Sequence, residues 1–391
     1  MNRVLIAILL SLVPSALRAQ QPAPPKDKPV TQEEIARLRR DIERETRSSL
    51  ELFLGGHAES GDLNNELGYL RAGLRLNLRR GDSTTLHLAT TYTPYRTQDG
   101  VVEVKGAGLA VGVASRVSPR ADYQWEVGAT RFTDEGWSFT GQASVAVKAS
   151  DKLRYSVAAS RTNVEESMLA VAGLTPVVGP FAGRRVGAVR DNRLQVGAAW
   201  QLPAQFDLAG EAAIGVRSGS NVGTNAFRRA GGGAGWNARA AAPEERLSLL
   251  RLSGWVEYFG FDENRLGYGG ASLADEAGRP IPVGALGSDD ISPEPSGDHA
   301  GVGGYFSPHR FVSAVGRLEA RGRARPSLDY HLSGYLGTQS FTGSQRRRAG
   351  GLLAAFTVKA SERISVPLTY RWDDYGPFTE QSFSVRLLFL L

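Results

Sequence analysis

Period-two alternation of apolar and polar residues runs from Ser48 to the last residue, and few folds can use so much of it. Leu70, Ala72, Leu74, Leu76 and Leu78 alternate with Tyr69, Arg71, Gly73, Arg75 and Asn77. Leu250, Leu252, Gly254, Val256 and Tyr258 alternate with Arg251, Ser253, Trp255 and Glu257, and the same pattern returns from Arg363 to Trp372. Successive side chains of a strand point to opposite faces, so each stretch is a strand with one apolar and one polar face. The chain also ends on such a strand, with Phe383, Val385, Leu387, Phe389 and Leu391 on its apolar side. That ending fits the closing strand of a transmembrane β-barrel and the C-terminal signal read by the barrel-assembly machinery. The usual last residue of that signal is Phe or Trp; here Leu391 stands last.

The connections between strands alternate in length. Compact polar turns fall at residues 79–82, 118–120, 149–151, 202–204, 242–244, 323–326 and 360–362. Between them lie more variable loops at 58–66, 94–102, 134–136, 165–186, 218–229, 261–308, 342–346 and 373–378. Short turns on one side and long loops on the other are the asymmetry of an outer-membrane barrel, with the short side periplasmic. Counting hairpins predicts an all-β, antiparallel transmembrane barrel of about sixteen strands over residues 48–391, with both ends periplasmic. Tyr92, Tyr95, Tyr123, Trp125, Tyr155, Trp200, Phe206, Tyr370 and Trp372 are expected to face outward as an interfacial aromatic girdle.

Composition agrees. With 41% hydrophobic residues and a mean hydropathy of -0.24, the chain is too polar for a bundle of membrane helices. It suits a barrel whose lumen face is polar. There is no Cys, which excludes a disulfide framework and a thiolate metal site. No metal or other cofactor is expected. The formal charge is +6, but the Arg residues are spread along strands rather than clustered, so nucleic acid is not an expected partner.

The N-terminus reads as export and approach. Residues 1–19 carry Arg3 and an apolar run from Val4 to Val13, the layout of a signal peptide cleaved after Ala19. Residues 20–30 hold Pro22, Pro24, Pro25 and Pro29 and form a Pro-rich linker. Thr31 and Glu34 form a capping box that opens a short periplasmic helix over 31–47, with Ile35, Leu38 and Ile42 on one face.

Parity sets the lumen lining. Arg71, Arg75, Glu126, Arg251, Trp255, Glu257, Arg317 and Tyr335 fall on the polar faces and are the candidate pore-lining residues. Both charge signs and two aromatic rings are present among them. Catalysis is the competing chemistry. His331 with Ser333, and the pairs Asp289-Asp290 and Glu165-Glu166, are its candidates, but none has a supporting frame in the sequence. The chain is therefore not expected to be an enzyme. A general diffusion porin is the main alternative, and a barrel enzyme the lesser one.

Loop 261–308 stands apart for its length and ends Gly303-Gly304-Tyr305-Phe306-Ser307-Pro308. This run resembles the GGYFSPQ-type signature of the C-terminal domain of cellulose synthase operon protein C, with His309 in place of the usual Gln. The helix before the first strand, and a polar loop ending Leu63-Asn64-Asn65-Glu66-Leu67, are similar to that family too. The resemblance extends over roughly residues 31–391 and implies an outer-membrane porin that exports cellulose or a related exopolysaccharide, with the pore-lining candidates as its glycan contacts: their charged groups would hydrogen-bond hydroxyls and their rings would stack on sugars. Family members carry tetratricopeptide arrays ahead of the barrel, yet no period of about 34 residues is visible here. The partners that the resemblance implies are outer-membrane lipid, a cellulose-like chain and an inner-membrane glycan synthase. A separate periplasmic repeat scaffold joins them, unless the barrel works without one.

Overall fold

The computed structural model describes residues 47–61, 67–81, 83–97, 103–133, 136–173, 175, 183–243, 245–263, 305, 307–341, 346–374 and 378–391. The signal peptide, the linker and all but Arg47 of the helix at 31–47 lie outside the described residues.

Sixteen strands make up the fold. They are β1 (Ser49–Gly61), β2 (Leu67–Arg80), β3 (Thr84–Thr97), β4 (Glu103–Ser118), β5 (Ala121–Phe132), β6 (Gly136–Lys148), β7 (Leu153–Asn163) and β8 (Gly187–Gln201). They continue with β9 (Phe206–Ser220), β10 (Val222–Ala240), β11 (Leu249–Phe261), β12 (Phe311–Arg325), β13 (Leu328–Phe341), β14 (Arg347–Lys359), β15 (Ile364–Asp374) and β16 (Phe378–Leu390). One helical turn, α1 (Met168–Val171), lies between β7 and β8. Every strand pairs antiparallel with its chain neighbours, and β1 pairs with β16 from Ser49↔Leu390 to Gly61↔Phe378. The sheet therefore closes into a barrel without an edge. Hydrocarbon offers backbone N–H and C=O groups no partner, so a spanning sheet must close in this way.

The strand count expected from the hairpins is the count observed, and all seven compact turns mark strand-to-strand connections, although Arg323 to Arg325 of the turn read at 323–326 belong to β12. One expected loop is absent. Residues 218–229 continue β9 and β10, joined by a single-residue turn at Asn221 in the left-handed region (φ 49°). The Ser, Gly and Asn content of that stretch suggested a loop, but small residues are what its close pairing needs. A Cβ on Gly219 would lie 2.4 Å from the Gly187 carbonyl oxygen of β8. Asn is among the few residues that tolerate such a turn.

The outer face is apolar. Leu109, Ile214, Val256 and Leu336 are all more than half exposed, with Leu336 at 79%. A water-soluble protein would cover such a continuous band, whereas lipid is its natural solvent. Leu336→Arg, in the middle of β13, is expected to lower stability in liposomes by about 2–4 kcal/mol. Denaturant titration checks this, and an unchanged midpoint would mean that the position does not meet hydrocarbon.

The girdle is present with one correction. Trp125, Tyr155, Trp200, Phe206 and Tyr370 are exposed on the outer face, and Phe206 stacks on Trp236 at 6.2 Å. Tyr95 instead points inward and is 2% exposed. It lies three residues from outward-facing Tyr92, and an odd spacing puts two strand residues on opposite faces.

Candidate functional site

The inner wall is built by large side chains laid flat over glycines of the neighbouring strand. Phe53 on β1 covers Gly73 on β2, where a Cβ would lie 2.3 Å from the Phe53 ring. His87 covers Gly112 in the same way, Arg251 covers Gly235, and Tyr335 covers Gly351. Trp255 spans two glycines, Gly231 and Gly233. A missing side chain on one strand thus makes room for a ring or guanidinium from the next. The wall stays closely packed while the centre stays open.

Of the six Trp residues, Trp125, Trp137, Trp200, Trp236 and Trp372 are on the outward register, and Trp255 alone faces the lumen. It lines a recess on the β9–β13 wall together with Arg251, Glu257, Arg317 and Tyr335. The structure brings these five candidates together. Arg75 and Glu126 sit on the β2–β5 wall, and Arg71 sits above Arg75 toward the long-loop end.

The charges pair locally. Arg251 bonds Asp207 at 2.6 Å, Arg229 bonds Glu257 at 2.8 Å, and Glu126 takes both His87 at 2.9 Å and Arg75 at 3.6 Å. The Tyr335 hydroxyl donates to Asp373 at 2.7 Å, and the Arg317 guanidinium lies 5.8 Å from the Tyr335 ring centre. Arg229 and Asp373 are partners that parity alone did not single out. A wall of such pairs presents polar atoms without a strong net field.

The long-loop end is obstructed by a plug. Val164 to Gly173 and Val186 to Val189 fold inward, and α1 touches both β8 and β3 across the lumen. Met168, Leu169, Ala170 and Val171 are all at most 2% exposed. Ser167 caps the turn by accepting the Ala170 N–H at 3.1 Å. The chain enters β8 at Gly187, at φ 97°, where a Cβ would sit 2.1 Å from the Leu169 carbonyl oxygen. One buried apolar cluster runs from Leu67, Tyr95, Val104 and Phe132 on one wall, through α1, to Val222, Phe227 and Phe261 on the other.

Two adjacent carboxylates tie the plug to opposite walls. Glu165 accepts from Arg71 of β2 at 2.6 Å and from the Tyr95 hydroxyl at 3.0 Å. Glu166 accepts from Arg217 of β9 at 2.8 Å, and Arg217 also bonds Asp191 of β8 at 3.2 Å. Glu165 and Glu166 therefore turn to different partners and do not share one reaction centre. Arg71, a pore-lining candidate by sequence, is a tether of the plug. Its signal in the sequence was only its inward parity; the link to Glu165 joins residues far apart in the chain.

Tyr305 of the Gly-Gly-Tyr-Phe-Ser-Pro run joins the same buried cluster. Tyr305 and Ser307 are fully buried, while Gly303, Gly304 and Phe306 lie outside the described residues, as do Asp289 and Asp290. The Tyr305 ring lies 6.0 Å from Phe261, with the Arg217 guanidinium 4.9 Å from its centre. Asn225 donates to its hydroxyl at 3.3 Å. Pro308 accepts the Phe261 N–H at 2.9 Å, which fixes the return into β12.

Comparison with known proteins agrees with this architecture. A family model described as cellulose synthase operon protein C C-terminus matches residues 62–270. A solved structure titled bacterial polysaccharide outer membrane secretin superposes with a TM-score of 0.61 at 12% identity, covering 89% of this chain and 99% of that one. At this identity the likeness speaks for the fold. CdiB from Acinetobacter baumannii aligns with a TM-score of 0.44 at 9% identity, over 88% of this chain and 60% of that one. A search of curated proteins finds no match.

Proposed function

Because the chain belongs to the family of the cellulose synthase operon protein C C-terminus, we propose that this outer-membrane barrel is the pore through which cellulose leaves the cell. The observation that carries the reading is the inner wall, with its polar groups paired side to side and its rings laid flat. A long neutral glycan needs many weak contacts, because conduction demands binding that is easily released. Trp255 and Tyr335 offer faces to sugar rings, and the Arg251–Asp207 and Arg229–Glu257 pairs offer donors and acceptors to hydroxyls.

The plug belongs to the same reading. It holds the extracellular end shut when no polymer is threaded, so the outer membrane does not leak. An inner-membrane glycan synthase feeds the polymer, a periplasmic scaffold bridges to it, and the chain arrives through a signal peptide and the barrel-assembly machinery. The barrel itself performs no covalent chemistry.

Planar-bilayer recording tests the reading. Cellohexaose added to the periplasmic side is expected to produce resolved blocking events, which a sugar of the same size with an unrelated linkage does not. Equal block by both sugars would point to a general diffusion porin. Turnover of lipid or peptide would point to an enzyme.

A further inference from the structure

The short-turn end carries a regular feature that polymer export does not use. Seven short connections close this end, at residues 81–83, 119–120, 149–152, 202–205, 241–248, 326–327 and 360–363. Six of them contain or directly follow or precede an exposed cation: Arg80, Arg120, Lys152, Arg246, Arg325 and Arg363. None of these six has an acidic partner among the described residues. Four described acids nearby are already engaged. Asp122 pairs with Arg116 at 3.3 Å, Asp151 with Lys148 at 3.1 Å, and Glu245 with Arg239 at 2.5 Å. Asp329 pairs with both Arg323 at 2.8 Å and Lys359 at 2.6 Å. These four acids thus face cations outside the six, which leaves the six as a ring of positive charge around the rim among the described residues.

The aromatic residues set the level of this ring. Tyr123 and Tyr155 follow Arg120 and Lys152 by three residues each, and both are on the outward register. Trp200, Phe206 and Trp236 flank the fourth and fifth turns on the outer face. The Tyr330 hydroxyl donates to the Arg246 carbonyl at 2.6 Å, drawing that turn onto the outer face. A Cβ on Gly322 would lie 2.0 Å from the same carbonyl, so the close approach depends on that glycine. Outward Tyr and Trp mark the boundary between hydrocarbon and headgroups. Cations just beyond that boundary lie at the level of the phosphates, and Arg and Lys are long enough to reach them.

We propose that the six cations form a binding ring for anionic phospholipid headgroups of the periplasmic leaflet. The ring fixes the height of the barrel in the membrane and recruits a lipid annulus there. A phosphate accepts two parallel hydrogen bonds from one guanidinium, which suits the five Arg residues in particular.

Tryptophan quenching by brominated lipids tests this on the purified, refolded chain, because Trp125, Trp200 and Trp236 already sit at this rim. In phosphatidylcholine vesicles, brominated phosphatidylglycerol is expected to compete about fivefold better than brominated phosphatidylcholine at low salt. The preference should shrink as salt shortens the screening length. Changing all six residues to Gln should abolish it, and changing the five Arg residues to Lys should retain most of it. Equal quenching by both lipids in the native chain would overturn the proposal, as would a preference that survives in the Gln variant. If the Gln variant does not refold, variants with three cations changed at a time give the same readout. No lipid preference in the native chain, together with export lost in cells from the Gln variant, would mean that the ring serves an acidic protein instead, and the lipid proposal would fall.

Discussion

Changing Glu165 and Glu166 together to Gln is expected to convert a mostly silent barrel into one that opens often. The substitution keeps side-chain volume but removes both charges that tether the plug to Arg71 and Arg217. These pairs are partly exposed, so each contributes about 1 kcal/mol rather than the larger value of a fully buried pair. Losing about 2 kcal/mol raises the open population roughly 30-fold, provided the plug exchanges between docked and undocked states. The buried faces of Met168, Leu169 and Val171 remain, so the plug still closes between openings. Single-channel recording reads this as a rise in open probability with unchanged open conductance. Unchanged silence would mean that apolar packing alone keeps the plug docked. Large conductance in the native chain would mean that the plug does not obstruct.

The second large effect concerns the lumen wall. Trp255→Ala is expected to weaken cellohexaose block about tenfold, because it removes the one Trp ring that faces the polymer path. Gly231→Ala supplies the complementary result. Its Cβ would lie 2.8 Å from Trp255 Cζ2, and its three nearest atoms all belong to that ring, so the ring must tip toward the lumen. Open conductance should fall while the barrel still folds, as heat-modified gel mobility would report. If the Ala variant blocks as the native chain does, sugar rings do not stack at Trp255, and the polymer path lies along another wall.

Most of the barrel was legible because strand parity is a local property. Leu70 to Leu78 states its own two faces, and the turn at Arg79 to Asp82 states its own end. The same locality explains the recess, since Arg251, Trp255 and Glu257 share one strand. Two things were hidden. The β9–β10 hairpin looked like a loop because glycines that serve close approach resemble glycines that serve flexibility. The plug was hidden because Glu165 meets Arg71, and Glu166 meets Arg217, only after the sheet has curled shut. Those contacts depend on which residues face each other across a closed ring, and no short window of sequence contains that. Glu165-Glu166 looked like a reactive pair for the same reason.

The seam between β1 and β16 joins Ser49 to Leu390 along thirteen rungs, from one end of the sheet to the other. A contact of such long range gains nothing until nearly the whole polypeptide is available, and the entropy of bringing its ends together must be met first. Maturation is therefore all-or-none with respect to length: a chain stopped short of its final strand presents two bare edges to whatever strand it meets. Quality control of this protein can act on one question, whether β16 has found β1.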